Sequence, residues 1–177
     1  MDPREFLSDL RFALVDAVND SRQIARAMGT IQTSEVYHGI SEDNFIAILY
    51  AKISQRVIGK TNDPASAIGI ELSYPKTIIR GESQTNCYVD MAFNELGFWL
   101  IKSNRKFALI EVKPVWDKLD SITKDAILWD TEKLRAIKEQ HEPNANLAMI
   151  IPIIGRNEID TSSLDILKEK LDEVIIC

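Results

Sequence analysis

Cysteine and histidine are both scarce in this chain of 177 residues, with two of each. Cys87 and Cys177 are far apart and form no C-x-x-C pair, and neither histidine stands at a ligand spacing from them. A structural zinc site takes four Cys or His ligands, which would consume this whole inventory. The composition therefore argues against a zinc protein and against a disulfide-stapled scaffold.

The chain also lacks long apolar runs and the glycine-rich motifs of nucleotide-binding proteins. No stretch approaches the roughly 20 apolar residues that a membrane helix needs, and the charge-punctuated N-terminus is unlike a secretory signal. Gly59-Lys60-Thr61 ends like a phosphate-binding loop, but the glycine required five positions earlier is Ser54. Neither G-x-G-x-x-G nor G-x-S-x-G occurs, so dinucleotide binding and serine-hydrolase chemistry have no support. We therefore expect a cytoplasmic protein without a membrane segment.

The charge balance is mildly acidic, with a net charge of −6 at pH 7 and a pI near 5.0. This balance gives no global attraction for nucleic acid, so any such binding has to come from a few placed residues. Hydrophobic residues make up 45% of the chain, which is ordinary globular usage and allows a full core. We expect one domain, or one domain with an appendage.

Helical periodicity marks four segments of the chain. Apolar residues recur at helical spacing over 3–28. A second helix is predicted to start at Ser41, whose hydroxyl can cap the first turn, and to end at Gly59. A third helix is predicted over 121–141 and a last amphipathic helix over 162–176.

Between residues 67 and 113 the periodicity changes to that of strands. The candidate strands are 68–74, 86–94, 97–102 and 106–113. Their short connections predict an antiparallel meander. A further strand is predicted over 147–154, because an almost wholly apolar run is typical of a strand covered on both faces. We therefore expect an α/β protein, a sheet sandwiched by helices, with an N-terminal helical extension over 1–40 and the main domain over 41–177.

A lone carboxylate interrupts the apolar strand 86–94. Strand alternation predicts that Val89, Met91 and Phe93 share one face. Asp90 is then expected on the opposite face. A charge in such a strand is costly unless it is paired or bound, which makes Asp90 a candidate functional residue.

A second carboxylate and a lysine share one face of the strand 106–113, at Glu111 and Lys113. Two carboxylates on neighbouring strands, Asp90 and Glu111, offer the hard oxygen ligands that Mg²⁺ prefers. A bound Mg²⁺ can contact a phosphate oxygen and lower the pKa of a bound water. Lys113 reaches the same space and can orient the water or offset charge on the phosphorus.

The set Asp90…Glu111-Val112-Lys113 resembles the motif of the PD-(D/E)XK nuclease superfamily, which has the restriction-endonuclease-like fold. The core of that fold is a helix, a three-stranded antiparallel meander, a crossover helix and a further strand. This α-βββ-α-β order, a mixed sheet flanked by helices, matches the predicted elements from about residue 41 to 154. The residue before Asp90 is Val89, where the family name has proline.

The resemblance implies roles for individual residues. Asp90 and Glu111 would bind the metal with the carbonyl of Val112, and Lys113 would be catalytic. Many members add a glutamate from the first core helix, for which Glu42 is the candidate. Three segments are also similar to a layout in small uncharacterised members: Ser41-Glu42-Asp43, Glu71-Leu72-Ser73-Tyr74-Pro75 and Asp130-Thr131-Glu132-Lys133-Leu134.

Basic residues close to these strands are candidate contacts for nucleic acid. They are Lys76, Arg80, Lys102, Arg105 and Lys106. Such a group could neutralise a few phosphates, and solubilising charges at turns explain it equally well. On the helix over 121–141, Lys133 alternates with Asp130 and Glu132, which predicts a solvated face laced with salt bridges.

The sequence thus predicts a metal-dependent endonuclease that hydrolyses phosphodiester bonds, with DNA the favoured substrate, Mg²⁺ the cofactor and Mn²⁺ its substitute. The N-terminal helix could form a homodimer, since cutting both strands is easiest with two sites. Two alternatives stay open. One is a catalytically inactive nuclease-fold subunit that recruits nucleic acid or a protein partner, which the acidic pI favours. The other is a stand-alone fold in which Asp90, Glu111 and Lys113 form a structural ion cluster.

Overall fold

The fold was obtained as a computed structural model, which describes residues 3–27, 40–61, 67–94, 108–116, 118–155 and 159–177. The helices are α1 (Pro3–Ala27), α2 (Glu42–Val57), α3 (Ser121–Gln140) and a 3-10 helix (Ser162–Glu169). The strands are β1 (Ile68–Tyr74), β2 (Thr77–Ile79), β3 (Glu82–Gln84), β4 (Cys87–Phe93), β5 (Ala108–Val112), β6 (Asn146–Ile151) and β7 (Glu173–Ile176).

Five of the strands form one mixed sheet in the order β1-β4-β5-β6-β7. Strands β1, β4 and β5 are antiparallel neighbours, and Met91 of β4 pairs with Ile110 of β5. Helix α3 then crosses to β6, which runs parallel to β5, and β7 adds a second parallel pair. The predicted α/β class is confirmed, and all five residues of β5 are buried as expected for a central strand.

Helices cover both faces of this sheet. One core lies under α1 and α2, where Phe6 stacks on Phe93 with 4.0 Å between the ring centroids. The other core lies under α3 and the 3-10 helix. Helices α1 and α2 run antiparallel, and the ion pair between Asp16 and Arg56 at 2.8 Å is one of several that link them. The division into an extension over 1–40 and a domain over 41–177 stays a prediction.

A serine cap marks the start of α2, and an aspartate cap marks the start of α3. Both helices begin where the sequence predicts them. Oγ of Ser41 accepts a hydrogen bond from the backbone N–H of Asn44 at 3.2 Å. Oδ1 of Asp120 accepts one from the N–H of Thr123 at 2.9 Å. Each cap satisfies a backbone donor that the first turn leaves open. Among the described residues, no helix is long and apolar enough to cross a membrane.

The prediction of one helix over 162–176 is wrong. The segment forms the short 3-10 helix and then β7, whose Val174 pairs with Met149 of β6. The side chain of Asp172 also accepts a hydrogen bond from the N–H of Leu147 at 2.8 Å, which holds the start of β7 beside β6. Pairing with an otherwise open sheet edge outweighs the helical periodicity of the segment.

The hairpin formed by β2 and β3 was not expected from the sequence. Its two-residue turn has positive φ at both Arg80 (52°) and Gly81 (80°), which is the type I′ geometry of a tight hairpin. The side chain of Gln140 bonds to the N–H and the carbonyl of Ile78 at 2.9 and 2.8 Å, so the hairpin docks on α3. The predicted strand 97–102 lies outside the described residues, and β4 pairs directly with β5.

The alternation predicted for β4 breaks at Asp90. Met91 and Phe93 pack under α1 and α2, but Val89 packs in the core on the opposite face. Glu71 stands opposite Asp90 in the register of β1 and has a φ of 51°, a left-handed conformation for a residue with a side chain. Both strands therefore change faces at the position of Asp90.

Candidate functional site

Six charged side chains come together at the carboxyl end of β5. They are Glu42, Asp90, Glu111, Lys113, Asp130 and Lys133. They are supplied by the start of α2, by β4, by the end of β5 and by one face of α3. Glu42, Asp90, Glu111 and Lys113 are the site residues that the sequence predicts, and Asp130 and Lys133 join them from α3. We refer to these six residues as the carboxylate–lysine cluster.

Asp90 is fixed against β5 by a backbone hydrogen bond. Its Oδ2 accepts from the N–H of Val112 at 2.7 Å, just beyond the last backbone pair between Met91 and Ile110. The side chain thereby takes over a donor that the strand ladder no longer satisfies. Burial raises the pKa of Asp90, and the hydrogen bond from Val112 and the charge of Lys133 oppose that rise.

Glu111 is the most deeply buried carboxyl group of the cluster, with 1% of its surface exposed. Burial raises its pKa well above the usual range, and the neighbouring charge of Asp90 raises it further. Nζ of Lys133 lies 2.8 Å from its Oε1, but the two groups are not aligned as a hydrogen bond. Oε1 of Glu111 is therefore a buried acceptor with no hydrogen-bond donor among the described residues.

Lys113 is held between two carboxylates. Its Nζ lies 2.8 and 3.1 Å from the two carboxylate oxygens of Glu42 and 3.2 Å from Oδ2 of Asp130. Burial lowers the pKa of Lys113, but the hydrogen bond with Glu42 and the charge of Asp130 outweigh it, so the pKa is raised. Burial also raises the pKa of Glu42, against the effect of Lys113. The Lys113 side chain is therefore a fixed cation rather than a proton acceptor.

Asp130 and Lys133 correct the prediction of a solvated face on the third helix. Asp130 is 7% exposed, and its Oδ1 lies 3.1 Å from Nζ of Lys133. Asp130 falls in the same row as the buried residues Ile127, Leu134 and Ile137, spaced three and four apart. The sequence did contain a signal of this burial, because Asp130 is a charged residue at a position of the apolar stripe of the helix.

The donor chemistry of the cluster fits a divalent cation. Asp90 and Glu111 supply hard oxygen ligands from adjacent strands, and Oε1 of Glu111 is a buried acceptor without a donor. Four carboxyl groups face two ammonium groups, so the fully ionised cluster carries a formal charge of −2. Within the described ranges, no group of three or more His, Cys, Asp or Glu side chains is arranged to hold a metal ion. Magnesium binding stays a prediction.

The basic residues predicted to contact nucleic acid are only partly described. Lys76 is exposed between β1 and β2. Arg80 lies at the tip of the β2–β3 hairpin, donates to Glu132, and stands 5.5 Å from the ring centroid of Trp129. Its guanidinium therefore pairs with α3, next to the helix face that carries Lys133, and the side chain remains 57% exposed. The other three, Lys102, Arg105 and Lys106, lie outside the described residues.

Comparisons with models of known protein families, with curated proteins and with solved structures each found no match. The class that the fold and the site define is an α/β protein with a mixed five-stranded sheet and a buried carboxylate–lysine cluster at the end of its central strand. The likeness to the PD-(D/E)XK nucleases therefore rests on the motif residues and on the order of the elements.

Proposed function

We propose that the protein is a metal-dependent endonuclease of the PD-(D/E)XK type, with DNA as its first-choice substrate. The observation that carries the proposal is that Asp90 and Glu111 lie side by side at the carboxyl end of β5, with Lys113 in the same cluster. Among the described residues, the buried Oε1 of Glu111 has no aligned hydrogen-bond donor. A buried cluster that holds more negative than positive charges destabilises the fold. Sites that perturb pKa values in this way are candidate functional sites.

The order of the elements supports the same proposal. Helix α2, the antiparallel strands β1, β4 and β5, the crossover helix α3 and the parallel strand β6 follow the α-βββ-α-β order of the restriction-endonuclease-like core. The hairpin β2–β3 and the strand β7 are additions to that order. Both additions contact α3, the hairpin through Gln140 and the segment before β7 through the ion pair of Lys138 with Asp172.

Each residue of the motif has a role in the proposal. Asp90 and Glu111, with the carbonyl of Val112, would hold Mg²⁺, which when bound acts as a Lewis acid and lowers the pKa of a bound water. Lys113 orients the attacking water and offsets the charge that develops on the phosphate. The raised pKa of Lys113 keeps it protonated for that task. Glu42 bonds to Lys113 and so positions it, and a role as a further metal ligand stays a prediction for Glu42.

We also propose that the protein forms a homodimer, because cleavage of both strands of a duplex is easiest with two sites. Phe12 and Val15 on α1 are 60% and 51% exposed, three residues apart on one face of the helix, and offer an apolar contact for a second copy. Sedimentation of the wild type and of Phe12→Asp tests this part. A dimer that the substitution dissociates is expected, and a monomeric wild type would remove dimerisation from the proposal.

The second candidate function is an inactive nuclease-fold subunit that binds nucleic acid or a protein. The observation in its favour is that both lysines already bridge carboxylates: Lys113 joins Glu42 to Asp130, and Lys133 joins Glu111 to Asp130. A cluster with internal counter-ions can persist as a structural feature. It then has no need of a metal.

A cleavage assay separates the two functions. Labelled duplex DNA, single-stranded DNA and RNA are incubated with Mg²⁺, Mn²⁺ or EDTA. We expect metal-dependent cleavage by the wild type and a loss of about 100-fold or more in Asp90→Asn, Glu111→Gln and Lys113→Met. The control is Glu139→Gln, on the exposed side of α3, which should cleave like the wild type. Absence of cleavage on every substrate would favour the binding subunit, and full activity in any of the three variants would refute the assigned roles.

A further inference from the structure

The ammonium group of Lys133 lies beside Glu111, the most deeply buried carboxylate of the cluster. Its Nζ is 2.8 Å from Oε1 of Glu111 and 3.1 Å from Oδ1 of Asp130. The side chain is 14% exposed, so the ammonium is largely withdrawn from water. Burial lowers the pKa of Lys133, but the charges of Glu111 and Asp130 outweigh it, so the pKa is raised and the group is a cation.

The two lysines of the cluster are held differently. Lys113 makes two hydrogen bonds with the carboxylate of Glu42, at 2.8 and 3.1 Å, and so has a fixed orientation. Lys133 stands as close to Glu111, but the contact lacks the alignment of a hydrogen bond. Lys133 divides its charge between Glu111 and Asp130. Another cation at Oε1 of Glu111 can therefore supply the same charge while Lys133 keeps Asp130 as its partner.

The side chain of Lys133 can leave Glu111 by rotation about its own bonds, without a change of the backbone. It belongs to α3, whereas Glu111 belongs to β5, and its ammonium ends a flexible four-carbon stem. Oδ1 of Asp130, one helical turn away on the same face, lies 3.1 Å from Nζ of Lys133 and remains its partner when the lysine leaves Glu111.

We propose that Lys133 is a built-in counter-ion of the carboxylate–lysine cluster, which neutralises Glu111 in the metal-free protein and is displaced from it when a divalent cation binds. The inference rests on the proposed function. Lys133 then competes with the cation, so it stabilises the metal-free fold and lowers the affinity for metal. It is a positioning residue that sets the metal concentration at which the site fills.

Calorimetric titration of Mn²⁺ at pH 8 into the wild type and Lys133→Met tests the competition. Without its competitor, Lys133→Met should bind Mn²⁺ about tenfold more tightly, a difference of about 1.4 kcal/mol. Its thermal midpoint in EDTA should fall below that of the wild type, because Glu111 loses its counter-charge. The matched control is Lys138→Met, on the same helix, whose partner Asp172 lies outside the cluster. Lys138→Met should bind Mn²⁺ like the wild type.

A second measurement uses the wild-type protein, so it does not depend on the folding of Lys133→Met. In protein labelled with ¹⁵N at the lysine side chains, the ammonium signal of Lys133 is assigned with Lys133→Arg. Saturation with Mg²⁺ should shift or broaden that signal and leave the signal of Lys138 in place.

The outcomes separate this inference from the proposed function. Equal or weaker Mn²⁺ binding by Lys133→Met, or an ammonium signal of Lys133 that Mg²⁺ leaves unchanged, would overturn the inference while the nuclease proposal stands. No binding of Mn²⁺ by any of the proteins, even with a short DNA duplex present, would overturn both.

Discussion

Replacement of Glu111 by glutamine should stabilise the metal-free protein, although it removes one partner of a close ion pair. The substitution keeps the volume of the side chain and removes one of four negative charges from a cluster with two positive charges. Lys133 retains Asp130 at 3.1 Å as a partner, so no ammonium is left without a counter-charge.

The magnitude follows from opposing contributions. The attraction between Glu111 and Lys133 at 2.8 Å is about 6 kcal/mol at an effective dielectric constant of about 20. Burial of the carboxylate opposes this attraction by several kcal/mol, and repulsion from Asp90 and Asp130 opposes it further. Because the pKa of Glu111 is raised, the opposing contributions are larger. We expect Glu111→Gln to gain roughly 1–3 kcal/mol, comparable with the replacement of a whole buried ion pair by neutral groups, because Lys133 keeps Asp130 as its partner and is not left uncompensated.

The pH dependence gives the sign of the effect. A carboxyl group whose pKa is higher in the folded than in the unfolded state binds its proton more tightly when folded, so it stabilises the fold at low pH. That stabilisation is lost as the pH rises from the unfolded value of 4.5 through the raised folded value. Urea unfolding in EDTA should therefore show similar stability for wild type and Glu111→Gln near pH 4.5, and an advantage for Glu111→Gln at pH 8.

Glu139→Gln is the matched control, because Glu139 lies on α3 with 69% of its side chain exposed. It should change the free energy of unfolding by no more than about 0.5 kcal/mol at either pH. A loss of stability of about 1 kcal/mol or more in Glu111→Gln at pH 8 would refute the reasoning. It would mean that the pair with Lys133 stabilises the fold more than burial and repulsion destabilise it.

Three further predictions concern the frame of the site and its surface. Phe93→Ala should lower the free energy of unfolding by about 3–5 kcal/mol in urea, because it empties a buried position stacked on Phe6, while Ile122→Ala at the exposed start of α3 should cost far less; equal losses would contradict the packing. Ser41→Ala should cost about 1 kcal/mol in the same measurement, because it removes the cap of α2, and no loss would remove the cap from the account. Arg80→Ala should weaken binding of duplex DNA and reduce the slope of affinity against salt by about one, measured by fluorescence anisotropy; an unchanged slope would exclude Arg80 from the interface.

Local signals in the sequence predict the frame of the fold well. Periodicity predicts α2 and α3, and the Ser41 cap predicts where α2 begins, because its side chain satisfies a backbone donor within three residues. The central strand β5 and the parallel strand β6 are predicted by their apolar runs. The strand β7 escapes prediction because its pairing partner is β6, some 25 residues earlier, and periodicity carries no information on such a contact.

Only the part of the candidate site that depends on local signals in the sequence could be predicted. Strand alternation and motif spacing bring Asp90, Glu111 and Lys113 to one region, and the structure places them there. Lys133 was expected in solvent because neighbouring charges on a helix usually form a solvated face. Only the packing of α3 on β5 turns that face inward and brings Lys133 to Glu111. The left-handed backbone conformation of Glu71 could not be predicted either, because a glutamate rarely adopts it and its residue type gives no sign of it.

The central claim is that Asp90 and Glu111 form a divalent-cation site that serves phosphodiester hydrolysis. The most direct test is calorimetric titration of Mn²⁺ into wild type and Asp90→Asn, each with a short phosphorothioate DNA duplex that resists cleavage. The account predicts binding to the wild type that disappears in Asp90→Asn, while Glu139→Gln binds like the wild type. Equal binding by wild type and Asp90→Asn, or no binding by the wild type with the duplex present, would contradict it.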